Sequence, residues 1–183
     1  MNKFLLVVDM QYDFIDGSLG TKEAQGIVPN VAKRIEEAQK DGYYVIFTQD
    51  THYADYMDKQ EGKKLPVVHC QYQTHGWMIH VAIAKAASDY CWIEKSTFGS
   101  LQAAERIDDM LPYSDINGED TVIEVIGLCT DICVVSNALF LKTRFPEALI
   151  RVRASCCAGV TPEKHQAALE VMRSCQIDVI EGE

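Results

Sequence analysis

Six short runs rich in β-branched and aromatic residues recur along this chain, separated by stretches of helical periodicity, and that alternation constrains the fold more than any other feature. The runs are KFLLVVD, YYVIFTQD, YCWIEK, TVIEVIG, ALIRVRAS and QIDVIE, each bounded by charge or glycine. Between them NVAKRIEEAQKDG sets Val31, Ile35 and Ala38 on one face and ends at Gly42. HVAIAKAAS, LQAAERIDDML, TDICVVSNALFLKTRF and TPEKHQAALEVMRSC read as further helices, the last opened by a Thr161 cap and Pro162 at the first helical position. Strands alternating with helices predict a three-layer α/β/α sandwich around a six-stranded, mostly parallel sheet.

Residues 51–76, THYADYMDKQEGKKLPVVHCQYQTHG, break this rhythm. An excursion of that length inside a compact domain is usually functional, so ligands are expected there. No repeat, low-complexity tract or linker interrupts the chain, and 183 residues suffice for one well-buried core, so residues 1–183 are expected to form one domain.

A formal charge of −10 argues against nucleic acid or an anionic membrane as partner, because both are recognised through excess Lys and Arg. The N-terminal MNKFLLVVDMQYDF has too short an apolar run for a signal segment or a membrane span, which predicts a cytoplasmic protein. In a reducing compartment most of the seven cysteines are expected to be buried small hydrophobes rather than disulfide partners.

In open parallel sheets, ligands bind beyond the carboxyl ends of the strands. Those ends carry Asp9, Asp50, the pair Glu94 and Lys95, and the turn that begins at Gly127. The turn continues as GLCTDICVVSNAL, with Cys129 and Cys133 four positions apart. That spacing is not the two-residue gap of a thioredoxin-type pair or a zinc knuckle, and a disulfide within one short turn would be strained. If the helix begins near Thr130 or Asp131, Cys133 falls in its first turn, where free N–H groups and the helix dipole favour a thiolate. A cysteine on an apolar helix face also serves as simple packing, and an aspartate ending a first strand can equally hold magnesium or phosphate. A thiol, a carboxylate to take its proton and a lysine to steady the charge nevertheless suffice for acyl transfer.

Three blocks in this order, DMQYDF (9–14), EKSTFGS (94–100) and VIGLCTDICVVSNAL (125–139), resemble the signature blocks of the isochorismatase-like cysteine hydrolases, and the nicotinamidase branch above all. The resemblance implies a sheet of order 3-2-1-4-5-6 and a catalytic triad of Asp9, Lys95 and Cys133. It also implies a cis peptide at Leu128–Cys129 and an oxyanion hole built from the backbone N–H groups of Cys129 and Cys133, which leaves the Cys129 side chain to ordinary packing. Phe14 and Trp77 are candidate walls for an aromatic substrate.

Asp50 and His52 in TQDTHY, with His69 in LPVVHC, form a mixed nitrogen and oxygen donor set suited to one divalent ion, zinc first, with manganese or iron as alternatives. Nicotinamidases resemble this arrangement, and some add a loop glutamate, for which Glu61 is the candidate. His75 and His80 are expected bystanders. The activity implied is hydrolysis of nicotinamide to nicotinate and ammonia through a Cys133 thioester, with self-association by family analogy.

Departures bear on the substrate rather than the ligands. Asp50-Thr51-His52-Tyr53 stands where many nicotinamidases have Asp-Trp-His-Pro, and Gln73-Thr74 replaces their Gly-Thr pair. Another small amide or carbamoyl compound is therefore an alternative substrate, and a thiol redox or binding module without turnover is an alternative of another class. An isochorismatase, which cleaves a vinyl ether, is disfavoured by the nucleophilic cysteine.

Overall fold

The apolar run behind Met1 forms β1 (Asn2–Val8), whose residues Leu5 to Val8 are wholly closed to solvent. In the computed structural model, which describes residues 1–182, β1 pairs in parallel with β2 (Tyr44–Asp50) on one side and β4 (Thr121–Leu128) on the other. β3 (Cys91–Lys95) extends the sheet beyond β2, while β5 (Leu149–Ala158) and β6 (Asp178–Ile180) extend it beyond β4. The order is β3-β2-β1-β4-β5-β6, and every strand pair of this sheet is parallel, a stricter rule than the mostly parallel sheet expected.

Every residue of β4 is buried, so both faces of the sheet need cover, as parallel sheets require. The helices are α1 (Tyr12–Ile15), α2 (Lys22–Lys40), α3 (Gln60–Lys64), α4 (Val81–Ala86), α5 (Leu101–Met110), α6 (Val135–Arg144) and α7 (Pro162–Ser174). α2 lies against β2, β4 and β5 with α4 beside it, whereas α6 touches α5, α7 and β5. No helix among the described residues is long and apolar enough to cross a membrane.

Two helix starts differ from the sequence reading. α2 begins at Lys22, well before the Asn30 expected, because the Thr21 hydroxyl accepts from the Ala24 N–H at 3.0 Å and so caps the helix there. Pro29 lies inside it, and the buried stripe Ala24, Ile27, Val31, Ile35 and Ala38 outweighs the hydrogen bond the proline cannot donate. The helix expected from Thr130 opens instead with a π-turn, Thr130–Val134, before α6 proper.

Gly127 governs how β4 leaves the sheet. It has a φ of +116°, and a Cβ there would lie 2.1 Å from the Val8 carbonyl oxygen, so only glycine lets the two central strands run this close where both of them end. The register between β4 and β5 also shifts between Val125 and Gly127. Within β4, Glu124 is buried yet charged, held by Arg34 of α2 through two hydrogen bonds of 2.7 and 3.0 Å and by Arg153 of β5 at 2.9 Å.

Candidate active site

Asp9 stands immediately beyond β1 in a left-handed conformation, φ +47°, which turns the chain out of the sheet. Its N–H reaches Thr48 of β2, and the Thr48 hydroxyl donates to Asp9 Oδ1 at 2.7 Å. Oδ2 faces Lys95 Nζ at 2.7 Å, but no well-aligned hydrogen bond engages it among the described residues. Register brings Lys95 there, because the last pair of the β2–β3 ladder is Asp50 with Lys95. Lys95 Nζ also lies 3.6 Å from Cys133 Sγ and 3.6 Å from Asp50 Oδ1. Asp9, Lys95 and Cys133 thus meet in one buried cluster.

The protonation balance follows from that burial. Desolvation raises the Asp9 carboxyl, Lys95 opposes it, and the nearby Asp50 charge adds to the rise, so Asp9 titrates above the ordinary carboxylate range. Burial also lifts the Cys133 thiol well above its usual value, aided by the Asp9 charge and only partly offset by Lys95. Burial lowers Lys95, yet the charges of Asp9, Cys133 and Asp50 outweigh it and keep the ammonium protonated. The Cys133 thiol thus stands beside a carboxyl group whose Oδ2 is paired with Lys95, a geometry suited to proton transfer on demand.

Cys133 reaches the cluster from the π-turn. There the Val134 N–H reaches back five residues to the Cys129 carbonyl at 3.0 Å, and Cys133 precedes this first wide bond. The Cys133 carbonyl is held by Asn137 Nδ2 at 2.8 Å, and Asn137 Oδ1 accepts from the Ser100 N–H at 3.0 Å, tying the turn to the segment after β3. The Leu128–Cys129 peptide is cis. Cys129 borders the same cavity as Cys133, and burial pushes its thiol up to about 12.

A second cluster adjoins the first. Asp50, His52 and His69, all buried, place one donor atom each within 4.8 Å of one another. His69 Nδ1 lies 2.8 Å from the Val67 carbonyl, which can only accept, so Nδ1 carries the proton and Nε2 is left to face Asp50 Oδ2 at 3.5 Å. His52 Nε2 lies 3.0 Å from Asp50 Oδ2, yet this buried nitrogen has no hydrogen-bond partner among the described residues. Glu61, from α3, points Oε1 toward both imidazoles at 3.7 and 3.9 Å. An orphaned imidazole nitrogen, a second imidazole fixed in its tautomer and a carboxylate between them fit a divalent ion. Burial raises Asp50, but the two imidazoles beside it and the Lys95 charge overcome this and hold the carboxylate below its usual range.

Both clusters open on one cavity of about 580 Å³, which Asp50, Glu61, His69, Cys129 and Cys133 help to line. Phe14 forms part of its wall and meets the His69 ring edge-on at 5.5 Å. Trp77 is not among the lining residues. Its indole N–H instead donates to the Thr51 hydroxyl at 2.9 Å, and its carbonyl accepts from Gln11 and Gln49, so it braces the loop behind the cavity. His75 and His80 stack on Tyr12, away from the metal-type cluster.

Several functional neighbours escaped sequence reasoning. Gln11 grips the Asp50 backbone at both ends, donating to its carbonyl at 2.9 Å and accepting from its N–H at 2.7 Å. Asp13 Oδ2 accepts from the Cys70 N–H at 2.7 Å, directly beside His69. The polar positions of DMQYDF, which stand out in an apolar context, were the available signal. Tyr56 gave none: its ring packs against both imidazoles, at 4.5 and 5.1 Å, from a segment without periodicity.

The family model described as the isochorismatase domain matches residues 3–183. A nicotinamidase/pyrazinamidase of Mycobacterium tuberculosis is 28% identical over 187 residues, covering 96% of this chain and 97% of that protein. Among solved structures, a pyrazinamidase of Pyrococcus horikoshii in complex with zinc aligns at a TM-score of 0.81 and 24% identity, covering 100% of each chain. An N-carbamoylsarcosine amidase of Thermoplasma acidophilum aligns at 0.75 and 26% identity, covering 99% of this chain and 96% of that one.

Proposed function

The chain belongs to the isochorismatase family and is a hydrolase of amide bonds, and from that premise we propose that it converts nicotinamide and water to nicotinate and ammonia. The observation that carries this reading is the convergence of Asp9, Lys95 and Cys133 beside the Asp50, His52 and His69 set, both at one cavity.

In this mechanism the Asp9 carboxylate accepts the Cys133 proton as sulfur attacks the amide carbon. Lys95, 3.6 Å from sulfur, steadies the charge passing between thiol and carboxylate. The backbone N–H groups of Cys129 and Cys133 hold the oxygen of the tetrahedral intermediate. The carbon–nitrogen bond then breaks, Asp9 returns its proton to the leaving ammonia, and water hydrolyses the thioester. Asp50, His52 and His69, joined by Glu61, would hold a divalent ion, zinc first and manganese or iron next, whose Lewis acidity attracts the lone pair of a ring nitrogen. Phe14 supplies an apolar wall against the ring. One catalytic domain over residues 1–183, a cytoplasmic location and a homo-oligomer belong to the same reading.

The relative named for N-carbamoylsarcosine supports a carbamoyl compound as the second reading. Ammonia release from nicotinamide, pyrazinamide and N-carbamoylsarcosine by the zinc-supplemented protein separates them. Turnover of nicotinamide that disappears in Cys133→Ala supports the proposal; turnover of the carbamoyl compound alone overturns the substrate.

A further inference from the structure

The π-turn that carries Cys133 is pinned from two sides, and only one of them involves the segments already described. On the far side, the corner between β5 and α7 reaches over to its first two residues. The Val160 N–H donates to Asp131 Oδ1 at 2.9 Å, and His165 Nδ1 shares a 2.8 Å hydrogen bond with the Thr130 hydroxyl. Thr130 is fully buried. Gly159 seals the corner: a Cβ there would stand 2.8 Å from the His165 backbone nitrogen and 2.9 Å from Asp131 Oδ1. Gly159 and Val160 also line the cavity, so the same corner faces substrate on one side and the turn on the other.

Thr130 follows Cys129 directly, and fixing its side chain limits how the Cys129 and Cys133 peptide planes rotate. Donors for a developing oxyanion are effective only when held in orientation before the charge appears. We infer that His165 is a positioning residue for acyl transfer: through Thr130 it holds the turn so that the Cys129 and Cys133 N–H groups face the oxygen of the tetrahedral intermediate. His165 touches neither the thiol nor its proton acceptor, so its effect falls on the acylation step and not on the reactivity of sulfur. This inference rests on the reading of Cys133 as nucleophile.

Two reagents divide those contributions in the intact protein. p-Nitrophenyl acetate acylates sulfur through an intermediate with an oxyanion: the thiol proton passes to Asp9, a carbon–sulfur bond forms, and the carbon–oxygen bond to p-nitrophenolate breaks. Iodoacetamide alkylates the same sulfur by displacing iodide, and no oxyanion forms. His165→Ala should slow the p-nitrophenolate burst about tenfold or more while leaving the alkylation rate within about twofold. His165→Asn, whose side-chain amide can again reach the Thr130 hydroxyl, should recover most of the burst. Thr130→Val should match His165→Ala, and the double variant should be no slower than either. Equal losses in both reactions would mean a merely structural role, and no loss in either would remove the role altogether. An undiminished burst in Cys133→Ala would instead defeat the nucleophile reading, a result distinct from either failure of His165.

Discussion

Lys95 Nζ lies 2.7 Å from Asp9 Oδ2, and both side chains are shut away from water. Each charge depends on the other there, because a buried ion that loses its partner is left without compensation. The pair also places its cation 3.6 Å from Cys133, so one contact bears on stability and on the proposed chemistry together.

Replacing Lys95 with Met should therefore damage both. Without the ammonium, burial drives the Asp9 carboxyl further up, and the carboxylate needed to receive the thiol proton is lost. Ammonia release should fall by about 100-fold or more, and the protein should lose about 3 kcal/mol of stability. Paired measurements of turnover and urea denaturation test this; full activity in a stably folded variant would contradict the assigned role.

The thiol's resting state gives a second prediction. Burial and the Asp9 charge lift Cys133 well above its ordinary value of 9.0, so the thiolate is scarce at neutral pH. Its alkylation by iodoacetamide should climb steadily with pH and show no plateau below pH 9. A plateau near neutrality would mean a thiolate already formed, and the need for Asp9 as proton acceptor would vanish.

Gly127→Ala tests the geometry behind the turn. The added Cβ meets the Val8 carbonyl at a distance no side chain tolerates, at a φ that disfavours any residue except glycine. The change should cost at least about 3 kcal/mol, seen as a large fall in Tm or as insoluble protein. Near-wild-type stability would show that β1 and β4 can separate at their ends.

The outline of the fold and the meeting of Asp9 and Lys95 at one sheet edge lay in the sequence because they depend on local signals. The six strands are short β-branched runs, and Asp9 and Lys95 occupy strand ends that a parallel sheet gathers on one edge. What could not be read depends on contacts between distant segments. The helix expected from Asn30 starts at Lys22 instead, because the Thr21 cap and a buried apolar stripe against the sheet extend it through Pro29. Trp77, a plausible wall by its place in the chain, turns its indole to Thr51 instead. His165 met Thr130 only once β5 and α7 had folded back, and no spacing in the chain announces that meeting.

Glu124 links acid stability to a single buried carboxylate. Burial raises it, but hydrogen bonds from Arg34 and Arg153 prevail and hold it below the usual value of 4.5. Because the folded-state value is depressed, its contribution is complete above the unfolded-state value and disappears as pH falls through the folded one. Stability should accordingly decline below about pH 4.5 in the native protein. Glu124→Gln should be weaker by about 3 kcal/mol at pH 7 and should show a shallower decline in acid. Parallel pH curves for the two proteins would place the acid-sensitive group elsewhere.

The metal-type cluster should reveal itself through proton competition. Burial lowers His69, but its hydrogen bonds to Asp50 and Val67 outweigh this, so in the free protein it titrates above 6.5. A divalent ion must displace that proton, and affinity should therefore fall as pH drops through the titration of His69. Zinc at about 100 times its Kd should add about 2.7 kcal/mol of stability, seen as a rise in Tm that chelation reverses. His52→Ala removes the orphaned Nε2 and should abolish most of the rise, whereas Glu61→Gln, altering a more exposed side chain 3.7 Å from His52, should reduce it less. A rise that survives His52→Ala, or that is independent of pH, would move the ion to other ligands.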